Sequence, residues 1–147
     1  MSEGQRVAGA TTVPPPFPAI DADTQPFWDG TRRCELLIQR CTACAMFQFY
    51  PRLRCIHCGE AVEWTRASGE GRVYSYTVVH RAAHEAFASQ VPYVVALIDL
   101  AEGPRMMSRV RVSPDEVRIG LAVRVAFDRV SDEATLPVFD AGTDTTS

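Results

Sequence analysis

The chain contains no lysine, so all 15 of its cationic side chains are arginines. That absence excludes Schiff-base and other amine catalysis and leaves planar guanidinium forks, which suit phosphate and carboxylate. A GC-rich genome favours arginine codons, so the bias needs no functional demand, yet the geometry can still use it. Long apolar runs are lacking as well. The longest, around residues 94–98, is far below the roughly 20 residues of a membrane helix, and residues 1–12 have no apolar core of a signal peptide. The expectation is a cytoplasmic protein with no membrane association. In that reducing compartment, cysteines grouped in pairs point to metal binding or chemistry and not to disulfides.

Histidine is scarce too: His57, His80 and His84 are the three present. His80 and His84 lie four apart near Glu85, a spacing that on a helix could hold a metal, but no third ligand is evident. No nucleophile on a strand-turn-helix stands out either, so the chain is not expected to be an enzyme on its own.

What is present is the balance of a soluble globular protein: 147 residues, 46% hydrophobic and 22% charged, enough for one or two small units. A net charge of −3 argues against a protein that coats itself with nucleic acid. The total hides an asymmetry. Residues 32–81 carry eight arginines against four acids, whereas residues 82–147 carry six against ten, so the first part is the one to face an anionic partner.

Residues 1–21 lack periodicity, and Val13-Pro-Pro-Pro-Phe-Pro18 favours polyproline geometry, so a disordered Pro-rich arm is expected there. Asp23 or Thr24 can cap a short helix with Pro26 in its first turn, ending near Gly30, and residues 35–40 alternate as a strand. Cys41-Thr-Ala-Cys44 and Cys55-Ile-His-Cys58 follow, ten residues apart. Each pair closes a turn that aims two thiolates at one ion, and residues 46–50 between them are apolar enough for a strand. Four sulfurs saturate zinc tetrahedrally, so the expected ion is structural zinc, worth on the order of 10 kcal/mol to a segment too small to fold alone. Iron in the rubredoxin manner, an iron–sulfur cluster and a redox dithiol are the rivals. Gly59 suits a positive φ after the second pair, while Ala45 stands at that place after the first. Cys34 falls outside the spacing and reads as a buried thiol. His57 reads as solvent-exposed inside its turn.

Beyond the cysteines the period becomes two. Strands are expected over residues 73–79, 93–100, 105–112 and around Val123, Val125 and Phe127, with a possible last edge at residues 136–139. Ser113-Pro-Asp-Glu116 is a capping-box pattern and predicts a short helical turn before Gly120. Short strands without a long helix point to a small closed barrel, and five suggest an OB-fold, with a sandwich as the alternative. The fold class is therefore mainly β: a short N-terminal helix and zinc ribbon over residues 22–66, an OB-fold barrel over 67–140, and a disordered tail over 141–147.

Pro26-Phe-Trp-Asp-Gly30, Ile38-Gln-Arg-Cys41, the two cysteine pairs, Gly71-Arg-Val-Tyr-Ser-Tyr-Thr77, Val79-His-Arg81, Pro92-Tyr-Val-Val-Ala-Leu97 and Arg118-Ile-Gly120 with Val123 and Phe127 form an ordered series. In that series, over roughly residues 22–140, the chain resembles the acyl-CoA-associated zinc-ribbon/OB-fold proteins, whose ribbon is rubredoxin-like. The resemblance implies a non-catalytic subunit that binds acyl-CoA and partners thiolase-fold enzymes: thiolases, hydroxymethylglutaryl-CoA synthases and aldolases that shorten steroid side chains.

Coenzyme A needs cationic forks and a flat apolar face. Arg52, Arg54, Arg72 and Arg81 with Tyr74 and Tyr76 are the candidates, beside Arg66, Tyr50 and Trp64. Phe27 and Trp28 either cap the barrel or anchor a partner, and His80 and His84, in the long loop 80–92, are further interface candidates. The reading from a different class is a single-stranded nucleic-acid module, since ribbons and OB-folds both bind single strands; the acidic second part opposes it.

Overall fold

A computed structural model describes residues 19–132 and 134–142. Most of the expected Pro-rich arm and residues 143–147 lie outside that range. Packed chain begins ahead of residue 22: Ile20 lies against the core, and Asp21 Oδ1 accepts from the Thr24 amide at 3.0 Å. Helix α1 spans Gln25–Arg32, with Thr24 at its N-cap position and Pro26 in its first turn, and runs two residues past Gly30. The Thr24 hydroxyl does not cap the helix; it is engaged with Asp21 instead.

The chain then reverses and enters a three-stranded antiparallel sheet in the order β2-β1-β3. Its strands are β1 (Leu37–Cys41), β2 (Phe47–Gln48) and β3 (Val62–Arg66). The strand expected over residues 46–50 shrinks to two residues because the chain on either side is committed to the cysteine turns. Strand β3, which the sequence reading did not anticipate, pairs with β1 from Leu37↔Arg66 to Cys41↔Val62.

Five further strands close a barrel: β4 (Glu70–Val79), β5 (Tyr93–Leu100), β6 (Arg105–Val110), β7 (Ala122–Arg129) and β8 (Thr135–Ala141), in the order β4-β5-β6-β8-β7. Strand β8 is no loose edge. It runs antiparallel to β7 over seven residue pairs and parallel to β6 at Val110↔Phe139, and this closure rules out the sandwich. It also carries ordered chain through Ala141, one residue past the expected barrel boundary. A 3₁₀ helix, Glu85–Gln90, fills the β4–β5 connection. At residues 113–116 one of the two capping-box bonds forms around a single turn, the Ser113 amide donating to Glu116 Oε1 at 3.3 Å, while Ser113 Oγ accepts from the Asp115 amide, and no helix follows.

Alternation on β5 buries Val94, Ala96, Ile98 and Leu100, which join Val73, Val110, Val123 and Phe139 inside the barrel. Each large apolar side chain so buried contributes about 1.5–3 kcal/mol. The cluster does not stop at the barrel: Phe27 and Trp28 of α1 and Leu36 and Ile38 before and on β1 belong to it. No helix among the described residues is long and apolar enough to cross a membrane.

Candidate metal centre and the surface around it

Two tight turns bring the cysteines together. In the first, the Ala45 amide donates to the Cys41 carbonyl at 3.1 Å; in the second, the Gly59 amide donates to the Cys55 carbonyl at 2.9 Å. Both turns need a left-handed residue at their end, and Ala45 at φ 66° adopts it just as Gly59 does at φ 82°. Alanine pays a steric penalty there of about 1 kcal/mol that glycine avoids.

The four Sγ atoms of Cys41, Cys44, Cys55 and Cys58 all lie within 4.8 Å of one another. Cys41 and Cys58 approach to 3.4 Å and Cys44 and Cys55 to 3.7 Å, with no disulfide formed. A regular tetrahedron with zinc–sulfur bonds of about 2.3 Å has edges of about 3.8 Å, so the cage has zinc dimensions. Backbone amides already point at the sulfurs: those of Ala43 and Cys44 donate to Cys41 Sγ, and that of His57 donates to Cys55 Sγ, each at 3.3 Å.

Those amides, Cys44's foremost, hold the Cys41 thiol down at about 6 against the opposing effect of desolvation. Cys58 is pushed up to about 12: the Glu60 amide pulls it down, but the Cys41 sulfur beside it and desolvation together push harder. Four sulfurs this close resist ionising together, and a divalent cation removes the conflict by balancing their charge. The donor set therefore fits zinc. These four thiolates would hold it, and with no coordination position left over it supplies a cross-link and no catalysis.

Two buried glutamines, neither singled out from the sequence, brace the loop into the second turn. Gln39 on β1 and Gln48 on β2 face each other in register, each 3% exposed. Gln39 Nε2 donates to the Arg52 carbonyl and Gln39 Oε1 accepts from the Arg52 amide, both at 2.8 Å. Gln48 Nε2 donates to Gln39 Oε1 at 2.8 Å and to the Arg54 carbonyl at 3.2 Å, while its Oε1 accepts from the Ile56 amide at 2.9 Å. A glutamine on a two-residue strand reads as surface; only its register partner across the sheet reveals the pair.

Cys34 is exposed and not the buried thiol expected. It sits at φ 62° where the chain leaves α1, its amide donating to the Thr31 carbonyl at 2.9 Å, and that reversal turns its side chain to solvent. His57 is exposed and stands outside the cysteine cage.

The residues expected to meet coenzyme A are spread over separate elements. Arg52 and Arg54 belong to the ribbon loop, whereas Arg72, Tyr74 and Tyr76 follow one another along β4, all exposed, and Arg81 lies in the connection beyond. Arg72 Nη1 donates to the Gly120 carbonyl at 3.0 Å. A bulge between Val73 and Ser75 sets Tyr74 out of register, where the Arg105 guanidinium covers its ring at 3.4 Å from the centroid. Phe27 and Trp28 stack edge to face at 4.8 Å and are buried in the core. His80 is exposed. His84 Nδ1 accepts from the Ala86 amide at 3.0 Å and caps the 3₁₀ helix.

Two family models match consecutive stretches of the chain and meet within β3. Residues 28–63 match a family described as ChsH2, rubredoxin-like zinc ribbon domain, and residues 64–128 match ChsH2, C-terminal OB-fold domain. A probable enoyl-CoA hydratase alpha subunit of Thermomonospora curvata is 41% identical over 84% of this chain, but the match spans only 39% of that protein. A 3-oxo-4,17-pregnadiene-20-carboxyl-CoA hydratase alpha subunit of Mycobacterium tuberculosis is 34% identical over 75% of the chain and 35% of its own length. The chain thus spans under two fifths of these two relatives. A DUF35 domain-containing scaffold protein of Methanothermobacter thermautotrophicus is 34% identical over 76% of this chain and 85% of its own. Among solved structures, a chain of the Ltp2-ChsH2(DUF35) aldolase superposes with a TM-score of 0.77 at 38% identity, covering 85% of this chain and 98% of that one. Ribbon, barrel and sequence agree: the chain belongs to the ChsH2 family of DUF35 proteins, which join a rubredoxin-like zinc ribbon to an OB-fold.

Proposed function

We propose that this chain is a non-catalytic accessory subunit that binds acyl-CoA and docks on a thiolase-fold partner enzyme, of the thiolase or steroid side-chain aldolase type, supporting its active site. The observation that carries the reading is the likeness to nearly the whole of one chain from an aldolase named for two components. The relatives named as alpha subunits of CoA-ester hydratases support a role beside another protein. A thiolate-saturated zinc has no open position for substrate, which fits a supporting part better than a reacting one. For the nucleotide end of acyl-CoA the proposed contacts are Arg72 and Arg81 with Tyr74 and Tyr76.

The single-stranded nucleic-acid reading loses ground on the barrel, where Arg105, Arg111, Arg124 and Arg129 are each paired with a carboxylate. Mixing the chain with thiolase-fold enzymes and separating the mixture by size exclusion tests the proposal. Co-elution with one of them, and acyl-CoA turnover only in the mixture, is expected. Salt-sensitive binding to oligonucleotides without any co-elution would overturn it.

A further inference from the structure

The ribbon loop of residues 52–56 shows its two apolar side chains to solvent: Leu53 is 76% exposed and Ile56 62%. Exposed apolar residues are ordinary on protein surfaces, but a loop so firmly held is not. Gln39 and Gln48 bind the backbone at Arg52, Arg54 and Ile56, and Cys55, one of the four metal-cage cysteines, lies between the last two. Two buried side chains and a metal cage thus fix the backbone of a segment whose two large apolar side chains stay in solvent. Rigid presentation of this kind removes the ordering cost that a mobile loop would incur on binding.

The charges beside the apolar pair indicate what it meets. Arg52 makes no side-chain bond among the described residues, and Arg54 reaches only the Gly59 carbonyl, at 3.5 Å. Among the described residues neither has a carboxylate partner, in contrast to Arg105, Arg111 and Arg124 of the barrel strands. A second copy of the chain facing this loop across a two-fold axis would set arginine against arginine, so charge disfavours it.

We infer that this loop is the element that grips the partner enzyme, Leu53 and Ile56 entering an apolar pocket whose rim carries carboxylates that pair with Arg52 and Arg54. The inference rests on the accessory-subunit reading, and it assigns these two arginines to the partner protein and not to the nucleotide. Arginine is enriched at the energetic centre of interfaces, and the aliphatic pair beside it supplies apolar area to bury in the partner's pocket.

The test compares four full-length proteins for zinc content, circular dichroism and affinity for the thiolase-fold enzyme that co-elutes with the wild type. These are the wild type, Leu53→Asp/Ile56→Asp, Arg52→Glu/Arg54→Glu, and Met107→Asp, a control at an exposed apolar residue of β6. Expected are one zinc per chain throughout, unchanged binding by the control, and at least about a 100-fold rise in Kd for the double aspartate variant. The double glutamate variant should bind more weakly and lose the salt dependence of the wild type. Should the aspartates unfold the ribbon, the glutamate pair carries the test alone. Affinity within about twofold of wild type in folded variants overturns the loop assignment while leaving the accessory role standing. A wild type that joins no such enzyme overturns both. A wild-type dimer made monomeric by the aspartates, or anionic-vesicle binding that they abolish, reassigns the loop to a second copy or a lipid surface.

Discussion

Gln39→Leu keeps the volume of a buried side chain and deletes its polar head. Three hydrogen bonds disappear with it: to the Arg52 carbonyl, from the Arg52 amide and from Gln48 Nε2, all at 2.8 Å. A net value near 1 kcal/mol for each gives about 3 kcal/mol. Arg52 is exposed, so water can reach its freed backbone groups, and leucine regains some apolar burial; the expected loss is about 2–3 kcal/mol. Metal binding and ribbon folding are one equilibrium in small zinc modules, so this loss should surface as weaker zinc retention. At 1.4 kcal/mol per decade it corresponds to a drop in zinc affinity of about 30-fold to 150-fold. Titration against a chromophoric chelator measures it directly, without need of the partner or substrate. A Gln39→Leu protein that holds zinc as tightly as the wild type would refute the claim that the glutamine pair organises the second cysteine turn.

Cys55→Ser should give insoluble or metal-free protein, and elemental analysis finding a soluble, folded, zinc-free variant would end the structural role assigned to the cage. In Gly71→Ala the new Cβ would stand 2.7 Å from the Asp99 carbonyl oxygen and 2.8 Å from Ile98 Cγ2, so a cost of about 1–3 kcal/mol should lower the thermal midpoint; an unshifted melt would contradict that packing. The Arg111 guanidinium, bonded at 2.8 and 2.9 Å, holds the Asp140 carboxyl below its ordinary range. A depressed folded-state pKa stabilises above the unfolded value near pH 4 and ceases to do so as pH falls through the folded one. Asp140→Asn should therefore cost at most about 1 kcal/mol at pH 7, since the pair is largely solvated, and nothing near pH 2; equal differences at both pH values would disprove the pairing.

The cysteine pairs were legible because metal geometry dictates ligand spacing, and β5 because a half-buried strand must alternate. What escaped notice depends on partners distant in sequence. The closing role of β8 rests on a parallel pairing between Val110 and Phe139, which no local pattern encodes. Strand β3 is short and carries two charged residues, and its pairing with β1 is what marks it as a strand. The Gln39–Gln48 pair looks polar and therefore superficial until the sheet register sets the two face to face. The exposure of Cys34 follows from one left-handed residue after the helix, where asparagine or glycine would have signalled the turn and cysteine does not. At Ala45 the outcome was the reverse, for the turn forms in full without its usual glycine.

Leu36 and Ile38 of the ribbon side share one interior with Phe27, Trp28 and the barrel residues Val73, Ile98 and Phe139, and the Ala67 amide donates to the Leu36 carbonyl at 2.8 Å where the chain crosses over. The two halves therefore have no slack hinge between them. Scissors applied at residue 64 would open a single oily interior and leave two fragments that each expose what the other had covered. For the intact chain the same continuity ties the ribbon to the barrel through shared packing as well as through the covalent chain.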